Sequence, residues 1–223
     1  PKFPSTLNYQ PLNPIPVPQT EAEWQFEMSH LDLAYASSHL DGLRQRGSNT
    51  YLLQYLLLHY MPISDKAAYG DLQNFATAHG FDVEDAFLHF YENTTVKYLD
   101  GTTESIPGWG GGTASSRQAA RIKILGMSIT SWMFNLKSPL MQAYLGDLCR
   151  RTVTTGSKPN GIYVDGVKPL TDLVVTTSGG KIAEYSNRTA ADSASDYVAD
   201  ATTAYKAANT AMGSDDPLGD HYL

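Results

Sequence analysis

The chain has 223 residues, 42% hydrophobic and 17% charged, enough for one large or two small domains with a packed core. Such a composition argues against disorder. Sixteen basic residues against 23 acidic ones give a net charge of −7, which repels phosphate backbones and excludes nucleic acid as the expected partner.

Six of the 12 prolines (Pro1, Pro4, Pro11, Pro14, Pro16 and Pro18) fall in residues 1–20. Proline fixes φ and donates no ladder hydrogen bond, so this stretch is read as an extended, irregular arm ahead of an α/β domain over 21–223. Thr20 followed by Glu21 and Glu23 predicts a capped helix start, with the helix running to about Met28. Leu31–Ala36 is the first strand, and Leu43–Arg46 a short helix or turn. Tyr51–Tyr60 is a near-continuous apolar run that reads as a strand buried on both faces, with a helix as the rival reading. Asp65–His79 is a helix that Ser64 can cap and Gly80 ends. Ala86–Phe90 is a short buried strand, and Asn93–Pro107 a hairpin turning at Asp100-Gly101. Gly108–Gly112 reads as a flexible loop carrying Trp109, and Arg121–Ser128 as an ambiguous strand. Ser138-Pro139 starts a helix to about Val153, Gly161–Val167 is a strand, and Ala190–Met212 a long amphipathic helix. Alternation of this kind predicts parallel strands with crossover helices.

Ligands of a parallel sheet bind at the carboxyl ends of its strands, where loops and helix N-termini converge. The polar residues just past the expected strands are Ser37, Ser38 and Asp41, then His59 and Tyr60, then His89, Tyr91 and Glu92, then Asp165 and Lys168. Asp165 leads this set. It follows Ile162-Tyr163-Val164 directly, and Gly166 permits close approach of a substrate. A carboxylate on a rigid strand end can act as acid, base or nucleophile; its alternative role is a structural ion pair or loop cap. Glu92 is the second catalytic candidate, with His89, Trp109, Asp41 and Tyr60 as substrate-binding candidates. His89 fits a satisfied core histidine equally well, and His59 lies in a Leu/Tyr stripe that is more often core. Trp109 and Trp132 suit either core packing or a sugar cleft, in which ring faces stack on pyranose faces beside carboxylates.

No metal motif, nucleotide-binding glycine pattern or nucleophile elbow occurs, so neither metal nor cofactor is expected. Cys149, the one cysteine, excludes an internal disulfide and reads as a buried thiol. No apolar run reaches the length of a membrane span. Asn93-Thr94-Thr95 and Asn187-Arg188-Thr189 match the glycosylation sequon. With Pro1 in place of Met, the chain is read as a processed form or a segment of something longer.

The ordered pieces WQFEMSHLDLAY (Trp24–Tyr35), YLLQYLLLHY, AFLHF, Asn135-Leu136-Lys137-Ser138-Pro139 before a helix, and GIYVDGV together resemble extracellular glycoside-hydrolase-like TIM barrels over about residues 20–212. In that family an Asp ends strand four in a G-(I/V)-(F/Y)-(V/L)-D pattern. The resemblance implies a (β/α)8 barrel or its N-terminal part, an extracellular location, carbohydrate as partner, and Asp165 as a catalytic carboxylate. Glycosidases use two carboxylates, and Glu92 or Glu184 would have to supply the second. Only about four βα units fit, against the eight of a closed barrel. Either more of the same polypeptide or a second copy is therefore expected to complete it, or the sheet is not a barrel at all. The alternative reading is a non-catalytic structural or interaction subunit of an extracellular or virion assembly, to which the proline arm would contribute by reaching a neighbour.

Overall fold

A computed structural model of the protein describes residues 9–11, 17–36, 39–98, 101–125, 130–164, 170–173 and 180–213. In chain order the elements are β1 (Tyr9–Pro11), α1 (Glu21–His30), β2 (Leu33–Ala36), α2 (Leu40–Gln45), β3 (Tyr51–Leu56), β4 (Tyr60–Pro62) and α3 (Lys66–Ala78). A 3-10 turn (Val83–Ala86) precedes the hairpin β5 (Thr94–Lys97) and β6 (Thr103–Ile106). A second 3-10 turn (Arg117–Ala120) leads to β7 (Lys123–Leu125), β8 (Thr130–Met133), α4 (Pro139–Thr154) and β9 (Gly161–Val164). Then come α5 (Leu170–Leu173), β10 (Lys181–Ile182), a third 3-10 turn (Ala183–Tyr185), β11 (Arg188–Thr189) and α6 (Ala194–Ala211). The chain divides into two compact units: Pro1–Leu56 with Asp147–Asp165 and Asn209–Leu223, and Leu57–Gly146 with Gly166–Ala208.

The first unit is built on a parallel sheet in the order β1-β2-β3-β9. Tyr9–Pro11 of the expected arm is its edge strand, a position that tolerates a proline. Alternation along β2 and β3 sends Ala34 and Leu52 to one face, where they are buried with Trp24 of α1 and Leu40 and Leu43 of α2. Full burial of each such large side chain stabilises by about 1.5–3 kcal/mol. Thr20 and Glu23 form a reciprocal capping box that starts α1 as the sequence predicts. Gly42 lets α2 approach α1, since a Cβ there would lie 2.2 Å from the Trp24 ring. At the start of β9, Asn160 donates its amide to Leu52 O at 2.7 Å, and its side-chain oxygen accepts from Leu52 N at 2.9 Å.

The second unit departs from the expected alternation. Its sheets are antiparallel: β4-β8-β7, the hairpin β5-β6, and the pair β10-β11. The Tyr51–Tyr60 run is two strands, not one: β3 belongs to the parallel sheet and β4 pairs antiparallel with β8. A continuous apolar run records burial but neither strand direction nor a break. Ala86–Phe90 is also corrected. All five residues are buried, but they follow a 3-10 turn and make isolated antiparallel bridges, Phe87 with Phe134, His89 with Arg121 and Phe90 with Ile182. The segment threads between three others instead of feeding a parallel sheet. The hairpin stands as expected, as does the Pro139 start of α4. Helix α3 is capped by Asp65, whose side chain accepts from Ala68 N at 2.9 Å, and not by Ser64.

The protein is thus an α/β protein whose parallel part has four strands. Among the described residues the strands form four separate open sheets, and no closed barrel is present.

Candidate functional site

In the first unit, Tyr35, Tyr55 and Tyr163 are each the penultimate residue of β2, β3 and β9. Because the strands are parallel, all three lie toward the same, carboxyl, end of the sheet. Register puts them on one face: Tyr35 is opposite Leu53, Tyr55 lies two residues beyond Leu53, and Tyr55 is opposite Tyr163. The rings gather accordingly. Tyr35 stacks on Tyr163 with centroids 4.2 Å apart, and Tyr55 lies 6.4 Å from the one and 6.2 Å from the other. All three are half-buried. This face is opposite the one that packs α1 and α2. Asp165, the leading catalytic candidate, follows β9 directly in sequence but lies outside the described residues, as do Ser37, Ser38 and Lys168. Asp41 is exposed in the first turn of α2. His39 is buried, with its Nδ1 3.4 Å from Glu27 and its ring edge-on to Trp24.

In the second unit, His89 is fully enclosed. Its Nδ1 is 2.7 Å from one Glu184 oxygen, its backbone N–H donates to the other at 2.9 Å, and its Nε2 is 3.4 Å from Glu84. Glu84 in turn accepts from both Nε and Nη2 of Arg121, whose Nη2 also reaches the Tyr69 hydroxyl at 3.2 Å. The Arg121 guanidinium lies 3.9 Å from the Phe87 ring centroid and 4.4 Å from that of Trp132. Burial pushes the Glu84 carboxyl up, but hydrogen bonds from His89 and Arg121 outweigh it and hold the group down at about 2. Burial pushes His89 down, and the hydrogen bonds to Glu184 and Glu84 outweigh that and raise it above its ordinary value. Glu184 and His89 are therefore tied into the packing of this unit. His89 does not face an open cleft, so it stands as a core histidine in a charged network.

Glu92 is partly exposed and pairs with Lys181 at 3.4 Å. Beside it runs the Gly108–Gly112 loop, closely packed where the sequence suggested flexibility. Trp109 N–H donates to Phe90 O at 2.8 Å, Gly111 N–H to Tyr91 O at 2.9 Å, and Ala114 N–H to Gly108 O at 3.0 Å. The Asn93 side-chain oxygen accepts from Gly108 N at 2.9 Å and from the backbone and hydroxyl of Thr113 at 3.3 Å. A Cβ on Gly108 would lie 2.2 Å from the Glu92 backbone, and one on Gly110 2.2 Å from the Tyr91 ring. Trp109 itself is 45% exposed. The loop that carries Trp109 thus packs its backbone against Phe90 and Glu92 within the second unit, and Asp41 belongs to the first.

Tyr60 is half-buried in β4, 5.1 Å edge-on to His59, and His59 is buried with Nδ1 3.0 Å from the Tyr205 hydroxyl. Cys149 is buried and its thiol is pushed by burial up to about 12, so it carries no thiolate at neutral pH. Among the described residues no three His, Cys, Asp or Glu side chains gather as a metal set, and no helix is long and apolar enough to cross a membrane.

The tyrosine cluster was readable in principle. A Tyr occurs in each of the expected strands Leu31–Ala36, Tyr51–Tyr60 and Gly161–Val167, but aromatic residues inside apolar runs ordinarily signal core. The Glu84–His89–Glu184–Arg121 network carries no local spacing signal, because its members come from three distant segments. The fold defines the class, an α/β protein with an open parallel sheet. Comparison with known protein families, curated proteins and solved structures gave no match.

Proposed function

We propose that the protein is a glycoside-hydrolase-like domain that engages carbohydrate at the carboxyl end of its parallel sheet, with Asp165 as an acting carboxylate. The observation that carries this reading is the tyrosine cluster: Tyr35, Tyr55 and Tyr163 converge at the strand ends that lead, through β9, to Asp165. Aromatic rings supply apolar faces for stacking on a sugar, and a carboxylate that follows β9 in sequence supplies an acceptor for hydroxyls.

The strand order favours a barrel-type arrangement over a doubly wound one. In doubly wound sheets the order reverses and the helices cover both faces. Here four parallel strands follow in sequence order without reversal, and both α1 and α2 pack on the Ala34–Leu52 face. Right-handed crossovers between sequential neighbours place helices on one side, which leaves the tyrosine face as the inner one of a TIM-type barrel. Four strands are half the number such a barrel needs, so the rest would come from more of the same polypeptide or from another copy. The second carboxylate of a hydrolase would come from there too. Glu184 is engaged with His89, and Glu92 with Lys181. The assembly-subunit reading draws less support, because Tyr9–Pro11 of the arm is spent in the chain's own sheet.

Hydrolysis and oligosaccharide binding across a broad glycan panel test the proposal. Asp165→Asn should abolish turnover with an unchanged melting temperature, and Tyr163→Ala should weaken oligosaccharide binding about tenfold, in line with the 1–1.5 kcal/mol of an aromatic contact. A parent protein that neither binds nor cleaves any glycan, or an Asp165→Asn variant as active as the parent, sinks the reading.

A further inference from the structure

The Gly108–Gly112 loop presents a large aromatic side chain to solvent on a closely braced support. Of the three tryptophans, Trp24 is buried in the first unit and Trp132 packs against Arg121 in the second. Trp109 alone ranks among the exposed large hydrophobic side chains, at 45%. Exposure here is not the result of a slack loop. The backbone on either side of Trp109 is pinned to Phe90 and Tyr91, and Asn93 gathers both ends of the loop through one oxygen. Glycine is required at both flanking positions, since a side chain at 108 would strike the Glu92 backbone and one at 110 the Tyr91 ring. The chain thus gives up side chains around Trp109 in order to seat this backbone tightly. The indole then costs little entropy to fix when it meets a ligand.

The chemistry beside it narrows the ligand. Glu92 and Lys181 pair at 3.4 Å next to the loop, both partly exposed, and offer an acceptor and a donor with no local net charge. An indole face with such a pair suits the apolar face and equatorial hydroxyls of a pyranose. The chain's net charge of −7 disfavours acidic polymers.

We infer that Trp109, with Glu92 and Lys181, forms a glycan-anchoring site for neutral polysaccharides, distinct from the sheet-end site of the first unit. The inference shares the carbohydrate class of the function proposed above but not its residues, so the two fail separately. A native affinity gel containing mixed-linkage β-glucan, xyloglucan, arabinoxylan, galactomannan or pullulan reads polymer retention. The expected result is retardation of the parent by at least one polymer. Trp109→Ala should weaken it at least tenfold, Trp109→Phe should be intermediate, and the melting temperature should hold in both. Asp165→Asn should keep the retention while losing turnover of short oligosaccharides, and Trp109→Ala the reverse. Equal retention of Trp109→Ala and parent, or no retention of the parent by any of the five polymers, overturns the anchoring site and leaves the sheet-end proposal to its own test.

Discussion

Held between Glu84 and Glu184, His89 is a buried imidazole with carboxylates facing both ring nitrogens, and Arg121 completes the charge balance by binding Glu84 through two nitrogens. Removing one member of such a group leaves the others buried and unpaired. The pH dependence follows from the two shifts. Glu84 is lowered to about 2 from an ordinary value of 4.5, so its contribution is full above about 4.5 and lost as pH falls toward 2. His89 is raised from 6.5, so its contribution is full below about 6.5 and lost as pH rises through the raised value. Stability from this group should therefore peak between about pH 4.5 and 6.5. Melting temperature followed from pH 4 to 9 should show a decline on the alkaline side, and His89→Gln should flatten that decline while lowering the maximum. An alkaline limb that is the same in the variant would mean that His89 is not the titrating group. From the sequence, His89 reads equally as a core or a cleft residue. The choice depends on Glu84, Arg121 and Glu184, whose approach is tertiary.

At the scale of elements, local chemistry was legible and pairing direction was not. Thr20, Pro139 and Gly80 mark helix ends through capping, a fixed φ and a positive φ, all of which act within one turn. Asp100-Gly101 likewise marks the β5–β6 hairpin, and Gly101 has the positive φ the turn requires. Ala86–Phe90 and Tyr51–Tyr60 misled because apolar runs report an environment only. Even so, β9 is the fourth strand of the parallel sheet, as the sequence suggested: Tyr9–Pro11 enters as a strand and Ala86–Phe90 leaves, so the count is preserved. The Gly108–Gly112 loop shows the same limit. Four glycines in five residues suggest slack, while the contacts they permit with Tyr91, Glu92 and Asn93 lie far off in sequence or across the loop. Gly108→Ala should therefore cost about 1–3 kcal/mol, as overpacking against an unyielding backbone does, measured as a lower urea midpoint at constant m-value. Gly156→Ala, where a Cβ meets nothing but φ is +58°, separates steric contact from conformational strain. A Gly108→Ala cost no larger than about 0.5 kcal/mol would mean the loop shifts freely.

For the whole molecule, the decisive fact is that the parallel sheet is assembled from segments far apart in the chain. β3 ends at Leu56 and its neighbour β9 begins at Gly161, with most of the second unit encoded between them. Closing so long a loop costs entropy that grows only slowly with length, but it must be met before the pairing returns any stability. Asn160 is placed to hold that closure. Its main-chain and side-chain amide groups both engage Leu52 across a sequence separation of 108, and Arg44 of α2 donates to the same side-chain oxygen. Asn160→Ala leaves the Leu52 N–H without that acceptor and removes one of the two acceptors of Arg44, at a cost of about 1–3 kcal/mol. Trp24 lies in the core of the same unit, so its fluorescence, isolated in a Trp109→Phe/Trp132→Phe background, reports the loss as a lower denaturation midpoint. The same clamp sets how Tyr163 meets Tyr35 and Tyr55, so oligosaccharide binding at the sheet end should weaken in Asn160→Ala while polymer retention through Trp109 persists. Were both to fall together, the loss would not be confined to the sheet end, and Asn160 would not be the residue that sets the tyrosine geometry.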